Sequence, residues 1–208
     1  MLFIEVYSEG SSLFDHLKSL YKTFRGLRND KVCFDLRNVN WLSPLIVLPL
    51  SAYIAETDSR YLHPISNNVS SYLTTIAFPN GINHVPSRSH QFRSYIPIGV
   101  LERENPEREK LESSFVNMVY KVLKPTVEIK NAISYPVTEL VDNIFEHSKA
   151  NEGYVFAQHY AQKKFVDLCI VDRGRGISAS YKEEKNLEFN DGEAIEKALE
   201  GLSVKKRI

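Results

Sequence analysis

The chain is 208 residues long, enough for one large domain or two small ones. Its 26 basic residues balance 26 acidic ones, so no net field draws it to nucleic acid or to an anionic membrane. The composition, 43% hydrophobic and 25% charged, is that of an ordinary soluble globular protein.

The first residues, MLFIEVYSEG, include Glu5 and no basic run, so they are not a signal peptide. FIEVY and KVCFDL read as strands, short and rich in β-branched and aromatic residues. Between them, SSLFDHLKSLYKTFRGL sets Leu13, Leu17, Leu20 and Phe24 at helical spacing, with Ser11 or Ser12 as the cap. Ser43 followed by Pro44 reads as an N-cap and a first-turn proline opening an apolar helix, which Pro49 kinks or delays. Its run PLIVLPLSAYIA falls far short of the roughly 20 residues of a membrane span. No membrane association is expected, and the cytoplasm is the expected location. SNNVSSYLTTIAF predicts a third helix, ended by PNG at 79–81.

Alternating strands and helices mark a small α/β unit. The charged stretch ERENPEREKLE then predicts a boundary near residue 104, giving domains 1–104 and 105–208. Beyond it, LESSFVNMVYKVL and KNAISYPVTELVDNIFEHS read as helices. EGYVFAQHYAQ and KFVDLCIVD read as strands joined at Gln162-Lys163-Lys164. RGRGIS reads as a glycine-bearing loop and GEAIEKALEG as a last helix. Cys33 and Cys169 sit in apolar runs far apart, which fits two small buried hydrophobes and neither a disulfide nor a metal site. The one dense basic run, Lys205-Lys206-Arg207, reads as a solvated end, so no nucleic-acid partner is expected.

On the helix PVTELVDNIFEHS, Val137, Leu140, Val141 and Ile144 form the apolar stripe that packs on a sheet. Glu139 and Asn143, four apart, are neighbours on another face. A carboxylate beside an amide oxygen suits activation of water next to a hard divalent cation, although the pair also fits a plain solvated face. About thirty residues on, CIVDRGRGI ends an apolar strand on Asp172, followed by Gly174 and Gly176. A strand-end carboxylate can accept from a purine amine, and the glycines let backbone approach a ligand.

In that order, ELVDN and DRGRG resemble the N box and first glycine box of the GHKL superfamily of ATP-binding domains. The resemblance covers about residues 107–208. It implies an α/β sandwich, a mixed sheet with helices on one face, binding ATP or ADP with Mg²⁺. It makes Glu139 the general base or water-orienting carboxylate and Asn143 the Mg²⁺ ligand. Asp172 would hold the adenine amine, Gly174 and Gly176 would line the adenine pocket, and His147 would lie toward the phosphates. The family also has a lid and a second glycine-rich box. GEAIEKALEGLSVKKRI carries only Gly201, so this ATP-binding unit is expected to be incomplete at its C-terminal end.

The first domain, with a strand ending in Asp35 and a serine at the next helix start, resembles a STAS domain. In that family a serine near Ser43 is phosphorylated, whereas here an N-cap is the favoured role. The function implied is an ATP-binding regulatory protein with slow Mg-dependent hydrolysis and a protein partner. A serine kinase acting on a STAS partner and a non-catalytic scaffold are the alternatives. Family members often dimerise, so a homodimer is possible.

Overall fold

The computed structural model describes residues 1–86, 94–124, 126–163 and 165–202. Lys164 of the expected hairpin, and the end of the chain with Lys205, Lys206 and Arg207, lie outside them. The first sheet is parallel, in the order β1 (Leu2–Glu5), β2 (Val32–Asp35), β3 (Arg60–Leu62). Parallel neighbours need crossovers. Helix α1 (Leu13–Phe24) joins the first pair and α2 (Pro44–Thr57) the second, and α3 (Asn67–Thr75) follows. The second sheet runs β4 (Tyr95–Glu102), β5 (Glu152–Tyr160), β6 (Phe165–Asp172), all antiparallel. Helices α4 (Arg108–Leu123) and α5 (Val127–Glu146) intervene between β4 and β5. Helices α6 (Gly176–Lys185) and α7 (Asp191–Leu199) follow β6.

Helix α2 lies between the two sheets. It is apolar all round, and such a helix must be covered all round. Val32 and Phe34 of β2 share one buried cluster with Ile46, Val47, Leu48, Leu50 and Tyr53 of α2 and with Ile98, Val100, Tyr154 and Phe156 of the second sheet. The Tyr53 ring meets Phe34 edge-on at 5.4 Å, and its hydroxyl donates to the Asp30 carbonyl at 2.9 Å. Pro49 lies within α2. Ser43 takes the N-cap position, and its carbonyl accepts from the amides of Ile46 and Val47. Its hydroxyl, buried with the residue only 1% exposed, makes no capping bond and finds no partner among the described residues.

The α/β class agrees with the sequence, but the second sheet differs from the expected one. Apart from a single parallel bridge between Ile82 and Gly99, its pairing is antiparallel, and helices cover both faces. Ile98, Val100, Tyr154 and Phe156 face α2, whereas Ile96, Leu101, Val155 and Ala157 pack with Phe115 and Met118 of α4 and Val141 and Ile144 of α5. The cause is local: Tyr154 to Ala157 are apolar at both parities of a strand, so neither face suits water. The boundary expected near 104 falls after β4, so residues 95–102 from the first segment form an edge of the second sheet. Sequence reading gives no strand there because Pro97 and Gly99 look like breakers. The register shifts between Ile96 and Gly99, a local irregularity that accommodates the proline.

Helix α1 matches its spacing and is opened by a capping box between Ser12 and Asp15. Its packing is turned from the expected one. Leu20 and Phe24 reach the core, yet Leu13 is 68% and Phe14 70% exposed, with Leu17 and Tyr21 beside them. Ser19 and Thr23 point inward, and their hydroxyls accept from the amides of Glu9 (3.2 Å) and Tyr7 (3.0 Å). An amide buried without an acceptor costs about 1–3 kcal/mol, so the loop under α1 selects a polar inner face.

Because α2 belongs to the core of both sheets, Leu48→Ala should lower stability by about 3 kcal/mol. Calorimetry of the full chain should show one unfolding transition for both halves; two resolved transitions would show that they fold independently.

Candidate functional site

A cavity of about 740 Å³ opens between α2, α5, β6, α6 and α7. Helix α5 reaches it because Val137, Val141 and Ile144 are buried on the apolar side, which turns the next face to the opening. Asn143 and His147, one turn apart on that face, line the cavity. Leu140, expected in the buried stripe, is exposed and lines it too, since the apolar arc is wider than the sheet covers. Asp172, at the end of β6, and Gly176, at the start of α6, form the wall across from them. Four of the sequence-picked residues, Asn143, His147, Asp172 and Gly176, therefore meet at one cavity. Glu139 is half-buried, one turn before Asn143, and is not among the lining residues. Gly174 also stands off the wall.

The two glycines serve different needs. Gly174 passes so close to the end of α5 that a Cβ would lie 2.3 Å from the Ser148 carbonyl oxygen. Gly176 has φ +80° with open space around it, so its constraint is conformational only. It opens α6 and does not lie in a loop as the sequence predicts. Asp172 accepts from the Gly174 amide at 2.9 Å, which fixes the turn at the strand end.

The arginines of DRGRG hold this turn from two sides. Arg175, its side chain 10% exposed, donates through Nε to the His147 carbonyl at 2.6 Å, and its amide donates to the Ser148 carbonyl at 2.9 Å. Its guanidinium also pairs with Glu183 at 2.6 Å and with Glu184, both on α6. Arg173 reaches the N-terminal half instead. It bonds Glu56 of α2 at 3.0 Å, Asn29 at 2.8 Å and the Arg28 carbonyl at 3.1 Å, and lies 4.3 Å from the Tyr53 ring centre. Burial pushes the Glu56 carboxyl up from the ordinary carboxylate range, and Arg173 opposes that rise. Nothing in the sequence singles these arginines out, because their partners lie up to 145 residues away.

Chemically, the wall is mainly apolar. Cys169 lines it, but burial, and then the charge of Asp167, push its thiol up to about 12, so it is not a thiolate at neutral pH. The Ser148 hydroxyl donates to the Ile144 carbonyl at 2.5 Å, and the Ser180 hydroxyl accepts from Arg175 at 3.2 Å. Neither serine is bonded to a base. The His147 Nδ1 atom is buried and has no partner among the described residues. No group of three His, Cys, Asp or Glu side chains among the described residues could hold a metal. A cation here would need ligand oxygens, to which Asn143 could add one. No helix among the described residues is long and apolar enough to cross a membrane.

Compared with models of known families, with curated proteins and with solved structures, the chain matches none.

The unequal surroundings of the two glycines give an ordered expectation. Gly174→Ala should cost about 2 kcal/mol or more, because backbone must move, and Gly176→Ala about 1 kcal/mol of backbone strain. Urea unfolding of both variants checks this, and the reverse order would contradict the packing described.

Proposed function

We propose that this chain is an ATP-binding regulatory protein of the GHKL type, with a STAS-like interaction unit at its N-terminus. The observation that supports it is the convergence of Asn143 and His147 with Asp172 and Gly176 on one cavity. Its volume lies within the range of small-molecule sites, and apolar side chains make up most of its wall. In this reading the base lies against Leu168 and Ile170 of β6, and Asp172 accepts a hydrogen bond from its exocyclic amine. Asn143 would offer its amide oxygen to Mg²⁺, whose other ligands would come mostly from phosphate and water. When bound, Mg²⁺ would neutralise charge on the phosphates. The cavity lining, among the described residues, holds no lysine or arginine. The phosphates would then depend on the cation and on the first-turn N–H groups of α6, which lack helical acceptors. The parallel β1-β2-β3 sheet with helical crossovers supports the STAS-like reading.

Glu139 is the residue on which hydrolysis depends, as the carboxylate that orients or deprotonates the attacking water. Its place off the cavity wall favours a second reading, a module that binds nucleotide and signals by occupancy without turning it over.

Mg²⁺ with ATP or ADP should raise the melting temperature of the chain. Asp172→Asn should weaken binding about tenfold, the cost of losing one charge-assisted hydrogen bond. Glu139→Ala should leave affinity within about twofold and abolish any phosphate release. No thermal shift with either nucleotide would defeat the nucleotide reading. Binding without phosphate release in the unaltered chain would select the second.

A further inference from the structure

Helix α1 carries apolar side chains on its outer face. Leu13, Leu17 and Tyr21 are four apart and form one row, and Phe14 stands beside them. They are 68%, 46%, 63% and 70% exposed, in that order, and none of them lines the cavity. The helix cannot roll to bury them. Ser19 and Thr23 on the inner face accept from the amides of Glu9 and Tyr7, and a roll would leave both amides without acceptors. Phe14 and Tyr21 together leave roughly 250 Å² in water. With the two leucines the row exposes roughly 400 Å², the size of the largest apolar patch on a typical monomer, which is often a functional one.

Charge borders this row on one side. Lys18 and Lys22 continue the line that begins at Phe14, and Arg25, the C-cap, holds its guanidinium 5.9 Å from the Tyr21 ring centre. Lys22 pairs with Glu9 at 3.1 Å, whereas Lys18 and Arg25 have no carboxylate partner among the described residues. These features select the occupant. A second copy fits poorly, because two α1 helices packed antiparallel across a two-fold axis set the cationic border of one against that of the other. The roughly 400 Å² per copy is also only half of the roughly 800 Å² per partner that a standard stable interface buries. A bilayer fits no better, since the row is one helix wide and the chain has no net charge. A helix fits: a row spaced at i, i+4 and i+8 over about 12 Å is the complement of an amphipathic stripe.

We infer that the outer face of α1 docks an amphipathic helix of a partner protein, with apolar residues at the centre of its contact face and Asp or Glu along the border that meets Lys18 and Arg25. The contact is small, so the complex is weak and reversible. This goes beyond the nucleotide reading and does not depend on it.

The probes are two synthetic peptides of about 18 residues, long enough to hold a helix. Both carry leucine at i, i+3, i+4 and i+7 spacing; one has glutamate at the other positions and the second has lysine. Fluorescence anisotropy with the full chain should show binding of the glutamate peptide, and of the lysine peptide at least about tenfold more weakly. Leu17→Ser and Phe14→Ser should each weaken the glutamate peptide about tenfold. Neither should lower the melting temperature, because both side chains stand in water in the free chain. Lys18→Gln combined with Arg25→Gln should weaken binding severalfold and flatten its dependence on salt. Ile195→Ser, at a 50% exposed apolar residue of α7, should leave binding unchanged. Failure of the glutamate peptide to bind, equal binding of the two peptides, or indifference to Leu17→Ser overturns the inference. Sedimentation of the unaltered chain as a dimer that Leu17→Ser splits also overturns it, by making a second copy the occupant. Binding to phosphatidylserine vesicles that Leu17→Ser abolishes overturns it in favour of a membrane.

Discussion

A helix with apolar side chains around its whole circumference is stable in water only if protein covers every side, and α2 imposes that condition on the rest of the molecule. The parallel sheet supplies one cover and β5 with β6 supplies the other, so the core around α2 is shared between the halves, while a second core lies between the antiparallel sheet and α4 and α5. The aromatic contacts concentrate where the two covers meet. Tyr53 touches Phe24, Phe34 and Arg173, one from each of α1, β2 and the DRGRG loop. The faces of the second sheet, the direction of α5 and the position of the cavity all follow from where α2 lies.

The DRGRG loop repeats this principle on a smaller scale. Its glycines remove side chains where backbone must pass close to Ser148 or take a positive φ, and its arginines reach in opposite directions to α6 and to α2. A turn held from two sides keeps Asp172 in place at the mouth of the cavity. The two guanidiniums are mostly screened from solvent, with side-chain exposures of 10% and 20%, while their carboxylate partners stay partly exposed. Such pairs fix geometry more dependably than they add stability.

Much of this was legible in the chain. Helical spacing marks α1, α4 and α5, and the serine–proline pair marks the start of α2, because these signals depend on neighbours within a few residues. Asn143 and Asp172 stood out only through their order along the chain, because each alone fits a solvated helix face or a turn, and the structure brings both to one cavity. What could not be read depends on distant partners. The strand β4 hides behind Pro97 and Gly99, which are tolerated because the register shifts beside β5. The inward turn of Ser19 and Thr23 is set by amides of a loop that periodicity does not see. The α2 wall is set by β6, more than a hundred residues later. Leu140 shows the same limit, since a stripe of four apolar residues does not say which one the sheet will leave uncovered.

The place of α2 between the sheets also bears on how the chain is made. A ribosome delivers residues 44–57 long before residues 152–172 exist. At roughly 5–20 residues per second, the second cover arrives on the order of ten seconds after the helix. During that interval one side of an apolar helix lacks the strands that later enclose it. The nascent protein therefore carries a sticky surface that disappears only when β6 has been completed, more than a hundred residues after α2.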